Sequence, residues 1–177
     1  GVCGKRFSNW LPDQPDLIVD HRYTYGSDQA YNCQVLDMQG AIGLEQLKKL
    51  PQIHEARCRA FYRTLFSMAT AVTMEGQWTH VQHSDNALVS WFGFPVIMND
   101  PAVKARLVAH LESRGIQTRS YFAGNLLAHE AYSHLGNAAD FPNANQVLCR
   151  VFWLGTSPSY TQEHFEHIEK TLKDFTL

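Results

Sequence analysis

The chain has 177 residues, 45% of them hydrophobic and 18% charged, with 10 Phe, 7 Tyr and 4 Trp; that composition builds a packed core and argues against intrinsic disorder. Its 15 basic and 17 acidic residues give a net charge of −2 with neutral histidines, and no basic run lies along any segment, which argues against nucleic acid or an anionic membrane as partner. No stretch approaches the roughly 18 apolar residues of a membrane span and no basic-then-apolar leader opens the chain, so the sequence reads as cytoplasmic, and its widely spaced cysteines, without any C-x-x-C, are expected to be free thiols.

Residues 1–36 hold Pro12, Pro15, Gly26, Ser27 and Asp28 among scattered aromatics and show little periodicity, which predicts an irregular arm. From Asp37 the pattern turns helical: Met38, Ala41, Ile42, Leu44 and Leu47 form a broad apolar stripe, with Glu45 and Lys48 outside it. Pro51 removes a backbone donor, so a break or kink is expected there. A second helix is predicted over residues 52–72, with Ile53, Ala56, Ala60, Leu65, Met68, Ala69 and Val72 inward, giving a helical hairpin or one long bent helix. Residues 88–98 (LVSWFGFPVIM) read as a buried strand interrupted at Pro95. Asp100 as N-cap, Pro101 at the first helical position, an inward set of Val103, Leu107, Val108 and Leu111, and Gly115 past the end define a helix. Strands are predicted over residues 116–122 and 149–154 with a mostly irregular segment between them, and Thr161 caps a last helix carrying Phe165, Ile168, Leu172 and Phe175. The expected fold is α+β, with residues 37–177 forming a single domain of long N-terminal helices packed on a small mixed or antiparallel sheet.

Candidate chemistry is sparse. His129 and Glu130 open H-E-A-Y-S-H, but the second histidine stands at i+5, which on an α-helix turns the two rings roughly 140° apart, so no zinc site is expected. His80 with His83 and His164 with His167 have an i+3 spacing that could share a metal, yet neither pair has an evident third ligand, and the last pair reads as solvated. There is no G-x-S-x-G elbow and neither G-x-G-x-x-G nor G-x-x-x-x-G-K, so no nucleophile elbow or common nucleotide loop is encoded. The stretch from Thr118 to Asn125 is denser: Arg119 offers a planar fork for phosphate or carboxylate, and Gly124 permits close backbone approach. The same composition also suits a plain strand end with a turn.

Several motifs occur in order: C-G-K-R-F (3–7), Y-T-Y (23–25), Y-N (31–32), D-M-Q-G-A-I-G-L-E-Q-L (37–47), S-W-F-G-F-P (90–95), T-R-S-Y-F-A-G-N (118–125) and F-W-L-G-T-S-P-S-Y-T (152–161). Together they resemble the DegT/DnrJ/EryC1/StrS sugar aminotransferase family, and within it the nucleotide-sugar 3-dehydratases acting on GDP- or CDP-linked 4-keto-6-deoxyhexoses. The resemblance implies the small C-terminal domain of a fold-type I enzyme that depends on pyridoxal or pyridoxamine phosphate (PLP or PMP). In that family a large N-terminal domain supplies the cofactor lysine, or a histidine in its place, and most phosphate donors. None of Lys5, Lys48, Lys49, Lys104, Lys170 or Lys173 stands in the family's Schiff-base context.

By the same resemblance Asn32 matches an asparagine that reaches the partner subunit's cofactor phosphate. Tyr23, Tyr25, Arg119, Phe122 and Asn125 match residues bordering the nucleotide-sugar cleft. Cys3 matches a cluster ligand of iron-sulfur members, without its companions, so no cluster and no other metal is expected. Departures fall at ligand-facing loops: Gly26 to Ala30 adds a residue, and Leu127, Ala128, His129 and Glu130 replace a stretch that is basic in relatives. The reading that follows is a free-standing C-terminal segment that binds no cofactor and is not catalytic alone, a homo-oligomeric, dimeric interaction module or small-molecule-binding module. The alternative is the C-terminal half of a split or truncated 3-dehydratase, active only with a large-domain partner chain.

Overall fold

The computed structural model describes residues 7–8, 11, 13, 16–20 and 35–177, and its backbone contacts divide the chain into two units, Gly1–Glu45 and Gln46–Leu177. In the first, β1 (Phe7–Ser8) pairs antiparallel with β2 (Val19–Asp20), so the predicted irregular arm contains a two-stranded ladder. Helix α1 (Asp37–Thr70) starts in this unit, where the Leu36 N–H donates to Gln39 Oε1 at 2.9 Å and Asp37 stands at the positive end of the helix.

Pro51 does not break α1. One helix runs from Asp37 to Thr70 where a break or a hairpin was open. Pro51 and Leu47 are both exposed, so water can take the carbonyl that the proline leaves without a donor. The predicted inward set holds for Ala60 and Met68, which are fully buried, whereas Ala69 faces out. The expected stripe of Met38, Ile42, Leu44 and Leu47 is exposed at 63–73%.

The second unit is built on a four-stranded sheet in the order β3 (Trp78–His80), β4 (Gly93–Met98), β6 (Val151–Gly155), β5 (Thr118–Ser120), antiparallel throughout. Every predicted strand is shorter or shifted, and β3 was missed. Residues 88–92 lie outside β4, and Leu88 is 94% exposed. Pro95 sits inside β4 without interrupting it. The Thr156 N–H donates to the Phe92 carbonyl, which in the Gly93↔Gly155 register puts the β4–β6 hydrogen-bonded pairs at Phe94 and Val96. The missing donor of Pro95 therefore points toward β3, whose pairing has ended at His80↔Val96, so no ladder bond is lost.

Helix α2 (Pro101–Ser113) forms as its signals require: Asp100 Oδ1 accepts the Ala102 N–H at 2.7 Å, Pro101 stands in the first turn, and Gly115 takes φ +77° just past the end. The segment between β5 and β6 is more ordered than expected. It makes three 3₁₀ turns (Leu126–Ala128, Glu130–Leu135, Ala138–Asp140) and then α3 (Pro142–Arg150), which takes in Cys149 and Arg150 that were assigned to a strand. Helix α4 (Gln162–Lys173) closes the fold.

Alternation along β4 and β6 sends Phe94, Val96 and Met98 to the same side as Phe152 and Leu154. There they meet Phe61 and Met68 of α1, Leu107 and Leu111 of α2, and Ile168 and Leu172 of α4 in one core. Each fully buried leucine is worth about 1.5–3 kcal/mol. Two imidazoles tie α2 to α4 in opposite directions: His110 Nε2 bonds the Thr171 carbonyl and His167 Nε2 bonds the Arg114 carbonyl, both at 2.8 Å.

Candidate functional site

Register places Arg119 beside Trp153, while their neighbours Thr118 and Ser120 share the face of the core residues Leu154 and Phe152. Arg119 and Trp153 therefore point to the other face. The Trp153 indole N–H donates to the Ser120 carbonyl at 3.1 Å, fixing the ring across the strands. The ring lies so close over Gly93 that a Cβ there would be 2.3 Å from Trp153 Cε3, which explains the glycine of the S-W-F-G-F-P motif. Phe92 meets Trp153 edge to face at 4.9 Å and approaches Phe122 at 6.3 Å. Phe122 is 67% exposed and has φ +50°, a conformation costly for an aromatic residue.

From the paired Arg119 and Trp153 a cavity of about 620 Å³ runs to the first turns of α4; Ile116, Tyr160, His164 and His167 complete its main walls. Glu163 and Ile168 also line it. The tautomers of the two imidazoles follow from their bonds. His164 Nδ1 accepts the Thr161 backbone N–H at 3.1 Å, so in the neutral ring the proton is on Nε2. His167 Nε2 faces a carbonyl, which only accepts, so its neutral ring leaves Nδ1 bare. The Tyr160 ring stacks on His164 at 5.5 Å, and burial holds its hydroxyl above the ordinary tyrosine pKa.

Of the described residues marked by the resemblance, only Arg119 lines this cavity. Phe122 belongs to the adjoining aromatic surface. Asn125 is buried at 3% exposure: its amide donates to the Ala138 carbonyl at 3.0 Å and to Asn145 Oδ1 at 2.7 Å, and its Oδ1 accepts the Leu127 N–H. It knots the 3₁₀ segment to α3. Gly124, at φ +63°, is held against Leu148, where a Cβ would come within 2.7 Å. Tyr23, Tyr25, Asn32 and Cys3 lie outside the described residues. His164 and His167, read as merely solvated, instead hold structural hydrogen bonds and line the cavity; their i+3 spacing was the signal. His129 and His134 fall around a 3₁₀ turn, not an α-helix. Among the described residues no group of three His, Cys, Asp or Glu side chains is placed to hold a metal ion, and Cys58 and Cys149 are free thiols.

PLP needs a base for its aldehyde and a phosphate cradle. The cavity lining contains no lysine. Lys104, whose amine burial pulls below the ordinary lysine range, donates to the Leu148 carbonyl at 3.1 Å and does not line the cavity. The lining thus offers the cofactor's aldehyde no primary amine, while it holds two imidazoles, His164 and His167.

Solved structures with the same fold define the class. A GDP-4-keto-6-deoxy-D-mannose 3-dehydratase of Escherichia coli matches 92% of this chain and 40% of its own, with a TM-score of 0.68 and 24% identity. A sugar aminotransferase from Micromonospora echinospora matches 81% of this chain and 36% of its own, with a TM-score of 0.67 and 17% identity. The fold is that of the C-terminal part of fold-type I PLP sugar enzymes. The chain belongs to the DegT/DnrJ/EryC1/StrS aminotransferase family, which it matches over residues 17–173. It is 30% identical to the lipopolysaccharide biosynthesis protein RfbH of Salmonella typhimurium over 98% of this chain and 40% of that protein. It is 34% identical to the dTDP-4-dehydro-2,6-dideoxy-D-glucose 3-dehydratase of Saccharopolyspora spinosa over 98% of this chain and 37% of that enzyme. The chain thus spans about 40% of the length of the relatives it matches.

Proposed function

We propose that these residues are the substrate-recognition part of a PLP- or PMP-dependent nucleotide-sugar dehydratase or aminotransferase and carry no catalytic group of that reaction. In this reading the cofactor's base and phosphate donors come from the length of the relatives that this chain does not span. Arg119 and Phe122, with Tyr23 and Tyr25, contact the nucleotide sugar, Asn125 holds the loop that carries Phe122, and Asn32 serves a partner subunit's cofactor. One observation carries the proposal: a family match across residues 17–173 coincides with a cavity that has a cation and aromatic walls but no lysine. The purified chain, titrated with PLP and scanned for a bound chromophore, is expected to show no saturable signal. Stoichiometric binding would overturn the proposal.

A second reading, an interaction module that forms a homodimer, is favoured by α1. Met38, Ile42, Leu47 and Leu50 are 53–73% exposed on one helix, too much apolar surface to leave bare in water.

A further inference from the structure

The four-stranded sheet has two edges, and they are finished differently. On β5 the outward main-chain groups are occupied: Glu112 Oε1 accepts the Thr118 N–H, the Ser120 carbonyl accepts the Trp153 indole N–H, and Arg119 sets a charge between them. Such devices keep a strand edge from pairing with another chain. Strand β3 has none of them. Trp78, Thr79 and His80 are followed by Val81, without lysine, carboxylate or proline.

Register gives the direction of the β3 groups. The Asn99 N–H donates to the Gln77 carbonyl at 2.9 Å, so Gln77 and Thr79 turn their main-chain groups toward β4. Trp78 and His80, one residue out of step, turn theirs away from the sheet. Among the described residues nothing bonds those outward groups.

This edge is self-complementary. When two copies run antiparallel about a two-fold axis at Thr79, Trp78 of each lies opposite His80 of the other, and every outward N–H meets an outward carbonyl. Thr79 then faces Thr79 of the second copy as the close, non-hydrogen-bonded pair, about 4.5 Å between Cα atoms, on the exposed face of the sheet. On the core face a row of rings continues across the axis, since Trp78 and His80 stand 6.1 Å apart and His80 stacks on Phe94 at 6.2 Å. The same order sets the Glu75 end of one strand against the His83 end of the other, an acid against an imidazole. Beside that end Phe61, Tyr62 and Leu65 line an open cavity of about 210 Å³, apolar surface for the second copy to cover. A strand of another sequence would have to supply this register, whereas a second copy has it built in.

We propose that β3 is a homotypic pairing edge, at which two copies of this chain join β3 to β3 antiparallel about Thr79 into one continuous sheet. The contact is separate from the exposed apolar residues 38–50 of α1 and goes beyond the homodimer read from them.

The test uses the full 177-residue chain. Thr79 is exposed, so its variants should fold, which circular dichroism checks. Thr79→Cys, oxidised and mapped by mass spectrometry of its peptides, is expected to give a disulfide from position 79 of one copy to position 79 of the other, since a residue on the axis meets itself. Thr79→Lys sets like charges opposite each other and is expected to lower the mass measured by light scattering about twofold, with Thr79→Val keeping the parent's mass. Deuterium exchange at the Trp78 and His80 amides should slow as the chain is concentrated. Absence of the link between the two positions 79, an unchanged mass in Thr79→Lys, exchange that ignores concentration, or a parent that is monomeric at every concentration overturns the inference. Leu47→Glu separates this contact from α1: the link should persist there, and its loss would make edge pairing a by-product of α1 association and overturn the inference. Dissociation in Leu47→Glu with an unchanged mass in Thr79→Lys would leave the α1 reading intact and remove this one.

Discussion

At the scale of single residues, Gly93 and Glu112 show how local contacts hold the site. Any side chain at Gly93 drives into the Trp153 ring. Gly93→Ala is therefore expected to cost about 1–3 kcal/mol, the range for overpacking, and to shift tryptophan emission as the ring is displaced. An unchanged denaturation midpoint would show that the ring can move freely. Glu112 sits at the end of α2, where its Oε1 accepts both the N–H and the hydroxyl of Thr118, the first residue of β5. Those bonds hold the carboxyl below its ordinary range. A depressed folded-state pKa gives stability that is fully present above the unfolded carboxylate pKa and is lost as pH falls through the folded value. Melting temperature followed against pH should show Glu112→Ala less stable than the parent near neutrality and equal to it at low pH. A difference that persists at low pH would place the effect in packing instead.

At the scale of elements, the α2–α4 clasp anchors the helix that lines one side of the cavity. His110 and His167 each donate through Nε2 to a carbonyl of the other segment, and the Arg114–Asp174 ion pair at 3.4 Å is exposed on both sides, so it adds little. Urea denaturation of His110→Ala and His167→Ala should show a loss of about 1 kcal/mol each. The double variant should depart from additivity, since both bonds fix one docking geometry. Parent-like stability in either single variant would remove that bond from the clasp. The elements also show what sequence patterns can carry. Helix α2 was legible because its cap, its proline, its inward residues and its terminal glycine are all local. Strand β3 was not, because three residues become a strand only when Met98, Ile97 and Val96 come alongside. Helix α3 was missed because its polar stretch lacks a side-chain cap and leaves no residue buried.

At the scale of the whole molecule, the exposed apolar residues of α1 set the expected behaviour in solution. Light scattering across a concentration series should show a dimer or higher assembly, and Leu47→Glu should shift it toward monomer. A soluble monomer at every concentration would count against self-association. The family match spans residues 17–173, so the whole-chain resemblance was legible in motifs whose order and spacing survive. The cavity was not, apart from Arg119. Its walls come from the segment between α2 and β5, from β5 and β6, from Tyr160 and from α4, and no linear spacing links Glu163 to Arg119.

The sequence by itself determined the α+β class, helix α2, the buried face of α4 and the family, because caps, periodicity and ordered motifs act over a few residues at a time. Only the tertiary structure decided that α1 continues through Pro51, that Asn125 serves the loop's own backbone, and that His164 and His167 wall a cavity with Arg119. The physical reason is that solvent access and strand register belong to the packed chain. An exposed proline can stay helical where water takes the orphaned carbonyl, and side chains far apart in sequence share a site only once β5 and β6 are in register.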